Sequence, residues 1–207
     1  MSDIIHNLQT PNPPPSKVES ATLRLEEILE RAFQSRFQNV EISGNTSALP
    51  LAFLLTSSHA KAINSLPHLV IVADDRKAEE FQNLISFFDP VRICTCLRSF
   101  DVSPYSGLNS QPRVMSARMR FLHAAQNAKP GTLLVASLPA LLQKTLPFQV
   151  FNSSTFKFNR GDEIPDQFPD FLNSLGYRAS PVVEDHGQYA SRGGIIDIFS
   201  AAHERPV

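Results

Sequence analysis

The sequence predicts an α/β protein: a layer built on a mainly parallel sheet, followed by a smaller α+β domain. Three observations predict it. Leu69-Val70-Ile71-Val72-Ala73 is an unbroken apolar run, as expected of a strand buried on both faces. Strand-like and helix-like patterns alternate with short connections through the first 145 residues. After about residue 147 the pattern changes to shorter strands around one helix, which puts a domain boundary near residue 145. The chain has 207 residues, enough for one large domain or two small ones with a true core.

Residues 1–15 read as a Pro-rich leader, because Pro11 and Pro13-Pro14-Pro15 fix φ and give up backbone donors. The α/β layer spans 16–145. Ser16 and Glu19 form a capping box, and Val18, Leu25, Ile28, Leu29, Ala32, Phe33 and Phe37 share one helical face. Val40–Ser43 reads as a short strand, Gly44-Asn45-Thr46 as a turn, and 48–60 as a helix. Asp74 and Asp75 then cap a helix running to about Phe88. Val91–Leu97 is a third strand and 98–111 a loop. Pro112 suits the first position of a helix reaching about Asn127. Thr132–Ser137 is a fourth buried strand, with a short helix near Pro139–Lys144. The second domain spans 146–207. Phe148–Phe151 and Thr155–Phe158 are expected as strands, and Ile164–Leu175 as a helix stopped by Gly176. Tyr177–Val183 and Ile195–Phe199 are expected as strands.

Composition excludes several classes. Cys94 and Cys96 cannot build a disulfide framework. At C-x-C spacing on a strand they share a face and read as two reduced, small, buried side chains, which suits a cytoplasmic protein. No metal-ligand cluster accompanies them. The longest apolar stretch is too short to span a membrane, and the N-terminus has no signal-peptide pattern. The net charge of −1 argues against a strongly basic nucleic-acid binder, yet it hides a segregation. From Val102 to Gly161 there are seven basic residues and no acidic one.

Three constellations carry candidate chemistry. Ser43 to Pro50 has the strand–turn–helix setting of a phosphate-binding P-loop, with Gly44 and Thr46 in the turn. Ser47 stands where the second glycine belongs and Pro50 where the lysine belongs, so phosphate charge has no side-chain partner. The loop reads as a degenerate P-loop or a plain turn, and no catalytic residue or cofactor is assigned to this chain. Arg113, Arg118 and Arg120 on one helix either contact phosphates or are simply solvated. Asp185, His186 and Ser191 suggest a hydrolase, but no G-x-S-x-G elbow supports one. The plainer reading is a turn and an edge strand, with Arg178 and Arg192 projecting from neighbouring strands and Gly193-Gly194 giving the turn its freedom.

The tail resembles the second domain of the bacterial transcription-repair coupling factor family, which is related to the excinuclease protein UvrB. The resemblance rests on Leu175-Gly176-Tyr177-Arg178, Glu184, Gly187, Tyr189 and the run Arg192-Gly193-Gly194-Ile195-Ile196-Asp197-Ile198-Phe199. It extends weakly over Leu69–Asp74, Pro104-Tyr105, the helix at 113–122 and Leu133–Leu141. UvrB carries an intact P-loop lysine and a long tyrosine-rich hairpin. Pro50 and the short 98–111 loop set this chain nearer the coupling factors, with a helicase-like but degenerate first layer. The resemblance implies nucleotide excision repair and docking to the excinuclease protein UvrA through Arg178, Arg192 and Phe199. UvrB has a further arginine where this chain has Ala190. The resemblance also implies that RNA polymerase, duplex DNA, ATP and magnesium are engaged by a translocase motor and domains outside these residues. On this reading the second domain is truncated after Val207.

Overall fold

A computed structural model describes residue 27 and residues 47–57, 65–203 and 205–207. The expected helix after Ser16, the strand Val40–Ser43 and the turn residues Gly44 and Thr46 lie outside the described residues. The chain divides into two compact units, 1–65 and 66–207. The described part of the first unit is helix α1 (Leu49–Thr56), with Pro50 in its first turn, where a missing N–H costs no helical bond. Its sequence is apolar up to Thr56, and Ala52, Leu54 and Leu55 are buried.

The second unit begins with three strands and the helices that connect them. These are β1 (His68–Val72), α2 (Asp75–Phe88), β2 (Cys94–Leu97), α3 (Pro112–Gln126) and β3 (Leu133–Ser137). The sheet is parallel throughout, in the order β1-β3-β2. Helix α2 starts where the two aspartates require, since the Asp74 carboxylate accepts from Lys77 N at 2.8 Å. One sheet face packs on Ala78, Phe81 and Ile85 of α2. The other carries Leu97, Leu134 and Ala136 against Phe121 of α3.

Central position decides which apolar run is buried. All five residues of β3 are buried, as a doubly covered strand requires. The run Leu69–Ala73 does not follow that expectation: Leu69 is 52% and Ile71 57% exposed. Among the described residues β1 is an edge strand, and α3 covers β2 and β3. Ser137 then caps the short helix α4 (Leu138–Leu141) through Ala140 N.

The remainder is smaller and mixed. It holds α5 (Phe148–Ser153), α6 (Phe168–Ser174), β4 (Arg178–Ala179), β5 (Gln188–Arg192) and β6 (Ile195–Ile198). The second sheet is ordered β4-β5-β6, parallel between the first pair and antiparallel in the hairpin. Phe148–Phe151 is helical, not a strand. Ser154 and Thr155 hydroxyls donate back to the Val150 and Phe151 carbonyls and tie off that turn. Thr155–Phe158 also forms no strand. Phe156 and Phe158, two residues apart, rest on Phe168 and Phe171 instead. Helix α6 starts at Phe168, later than expected, because Pro169 is tolerated only in a first turn. Gly176, at φ +87°, ends this helical segment as the sequence implied. The strand expected over Tyr177–Val183 shrinks to two residues ahead of Pro181.

Candidate protein-docking site

The second sheet has one covered and one open face. Tyr189, Ile196 and Ile198 point to the covered side and pack with Phe168 and Leu172 of α6. The Tyr189 hydroxyl donates to Asn173 Oδ1 at 3.0 Å, so its buried polar end is satisfied. Side chains alternate along a strand and stay in step across a ladder. The register pairs Arg178 with Gln188, Ala190 with Asp197, and Arg192 with Ile195. Arg178, Gln188, Ala190, Arg192, Ile195, Asp197 and Phe199 therefore belong to the other face.

This face holds the three residues to which the resemblance assigns docking. Arg178 and Arg192 are exposed and sit on neighbouring strands. Four residues of β5 separate Gln188, beside Arg178, from Arg192, which is about 13 Å. Arg192 precedes the Gly193-Gly194 turn, where φ is +54° and +89°. Only glycine adopts such a pair without strain, and the turn holds Arg192 against Ile195. Ile195 is 68% exposed and gives the face an apolar anchor beside a cation.

Phe199 differs, being 8% exposed. Its backbone extends the ladder, donating from N to the Gln188 carbonyl and accepting from Gly187 N. The His186 ring stacks on it at 3.9 Å between centroids. His186 is engaged at Nε2 with the His203 carbonyl, 3.2 Å away. Burial holds this imidazole below its ordinary pKa. The Arg120 and Arg113 charges act in the same direction, while the His203 bond and Asp185 oppose it. Ala190 is buried, so position 190 offers only a flat floor. The β5 edge beyond β4 opens a groove of about 420 Å³ lined by Pro169, Pro181 and Arg192, among others.

The hydrolase reading finds no support. Ser191 lies in β5, whereas His186 sits in the turn before that strand and is already committed to Phe199 and His203. Ser47 lies in a bend and Pro50 in α1, so neither supplies a phosphate-binding cation. Among the described residues no His, Cys, Asp or Glu group is arranged to hold a metal, and no helix is long and apolar enough to cross a membrane.

Arg118 requires a correction. It is not on the surface with Arg113 and Arg120 but is 1% exposed. Its guanidinium donates to the Arg98 carbonyl at 2.5 Å, to Gln143 Oε1 at 3.4 Å and to the Lys144 carbonyl at 3.3 Å. It also lies 4.0 Å above the Phe100 ring centroid. Burial lowers its pKa and the nearby Asp75 charge raises it. Such a side chain closes its own layer and cannot reach a phosphate backbone. Cys96 is buried and Cys94 half-buried, both as free thiols. Burial pushes them up to about 12 and about 11, so both are protonated.

Sequence reasoning put Arg192 on a strand beside that of Arg178 but gave β5 no range, and it missed Ile195 as an anchor and His186 as the cover of Phe199. The signal for β5 and Ile195 was the Arg-Gly-Gly-Ile turn, which sets an arginine opposite an isoleucine.

The second sheet is thus backed by a helix on one face and presents Arg178, Arg192 and Ile195 on the other. The family model for the UvrB interaction domain matches residues 156–207. The chain is 29% identical over 160 residues to the transcription-repair-coupling factor of Haemophilus influenzae, covering 77% of this chain and 14% of that protein. For the Escherichia coli (strain K12) transcription-repair-coupling factor the figures are 26% over 141 residues, 68% and 12%. For that of Staphylococcus haemolyticus they are 36% over 89 residues, 42% and 8%. The chain is homologous to the N-terminal, UvrB-like region of the transcription-repair-coupling factors. It spans about one seventh of the length of the first of these relatives.

Proposed function

We propose that this chain is an adaptor of transcription-coupled repair. Residues 146–207 dock the excinuclease protein UvrA, and the parallel sheet of β1 to β3 with its helices forms the layer that precedes them in the same unit. In a coupling factor that docking recruits UvrA to an RNA polymerase stalled at damage. The polymerase is engaged by other domains, and any ATP and magnesium by a motor outside these residues. The observation that carries the proposal is the shared sheet face of Arg178, Arg192 and Ile195. Two exposed arginines, about 13 Å apart along β5, offer two forks for carboxylates of a partner, and Ile195, across the hairpin from Arg192, adds an apolar contact that excludes water. Phe199 contributes from beneath, as the support on which His186 rests. Nucleotide chemistry is not part of the proposal, because Pro50 stands at the lysine position.

The test is capture of purified UvrA by the immobilised chain. Arg178→Ala and Arg192→Ala are each expected to weaken binding about 30-fold, a typical loss for a central interface arginine. Equal capture by wild type and both variants would remove these residues from the interface.

A further inference from the structure

We propose that Arg113 and Arg120 of α3 form a surface for the sugar-phosphate backbone of duplex nucleic acid. This proposal does not rest on the docking reading. Arg113 is exposed and Arg120 half-buried, seven residues apart and on one line of the helix, with the small Ala117 between them. Seven residues of helix set the two side chains about 10.5 Å apart along the helix, within reach of two phosphates of one strand. Neither arginine forms an ion pair with a carboxylate of the described residues.

The carboxylates nearest this line of the helix are Asp101, which accepts from Gln111 N at 3.3 Å at the start of α3, and Asp185, which with both arginines acts on His186. Neither carboxylate forms an ion pair with Arg113 or Arg120, so both guanidinium groups stay open to a ligand. The surrounding segment, 102–161, has no acidic residue to offset them. A strip of cations separated by a small side chain suits a uniform polyanion better than a protein surface, which needs large apolar anchors. Arg118, turned inward, takes no part.

The test is fluorescence anisotropy of a labelled duplex of about 20 base pairs with the full 207-residue chain, at about 50 and 200 mM salt. Wild type is expected to bind with steep salt dependence. Arg113→Glu with Arg120→Glu is expected to lose at least about tenfold in affinity at low salt and to flatten the log–log slope by about 2. Arg113→Glu alone, at an exposed site, flattens it by about 1, and Arg120→Lys retains binding. Arg160→Glu, from the same basic segment, leaves the slope unchanged. No binding at low salt, an unchanged slope in the Arg113 variant, or preference for polyglutamate over the duplex would overturn the proposal. The last result would identify a surface for an acidic protein.

Discussion

Replacing Arg118 by alanine tests whether a buried cation closes the first layer. The side chain gathers three acceptors from two segments, Arg98 after β2 and Gln143-Lys144 after α4, and covers Phe100. The short bond to the Arg98 carbonyl contributes about 2 kcal/mol, as charged hydrogen bonds do. The two longer ones add about 0.5 kcal/mol each. The ring contact adds about 1 kcal/mol. Removing the charge also relieves its desolvation, while the lost stem leaves a void and orphans the acceptors. The expected net loss is about 3–5 kcal/mol, or a fall of about 10 °C in melting temperature for a chain of this size. Urea and thermal unfolding followed by circular dichroism measure it. Arg113→Ala, exposed on the same helix, should stay within about 0.5 kcal/mol of wild type. Equal stability of the two alanine variants would refute the strut role of Arg118.

Further outcomes follow from the same geometry. Asp74→Ala removes the acceptor for Lys77 N and should cost about 1 kcal/mol, measured by urea unfolding; a loss below about 0.3 kcal/mol would deny the cap. A raised thiol pKa favours the neutral, unreactive form at every pH below it. At pH 8 about one Cys94 thiol in a thousand is thiolate, and fewer at Cys96, so iodoacetamide should label neither until the chain is unfolded in urea. Mass spectrometry showing rapid labelling of the folded chain would contradict the burial of these thiols. The salt slope of duplex binding and its loss on reversing Arg113 and Arg120 form a further prediction.

The punctuation of the fold was legible from single residues. Asp74, Pro112 and Gly176 each impose a local backbone requirement that no distant contact needs to supply. Burial was not, because it depends on which neighbours arrive. Leu69 and Ile71 read as buried by composition, yet among the described residues they lie on an edge strand that α3 does not cover. Arg118 reads as solvated by its charge, yet its acceptors come from segments 20 and 26 residues away. The short apolar run at Phe148 fits a strand or a helix turn equally, and the hydroxyls that follow it decide for the helix. The strand β5 was hidden because its residues do not alternate in burial: Tyr189 and Ala190 are both inside, Ser191 and Arg192 both outside. The docking face itself was half legible. The Arg-Gly-Gly-Ile turn marked one arginine, and the pairing of Arg178 with Gln188 placed the second on the same side.

The central claim is that UvrA binds the open face of the second sheet. Calorimetric titration of UvrA with wild type, with Arg178→Ala/Arg192→Ala and with Arg113→Ala/Arg120→Ala tests it most directly. The account predicts a loss of at least about 100-fold for the sheet-face pair and near wild-type affinity for the helix pair. Undiminished binding by the sheet-face pair, or an equal loss in both, would contradict it.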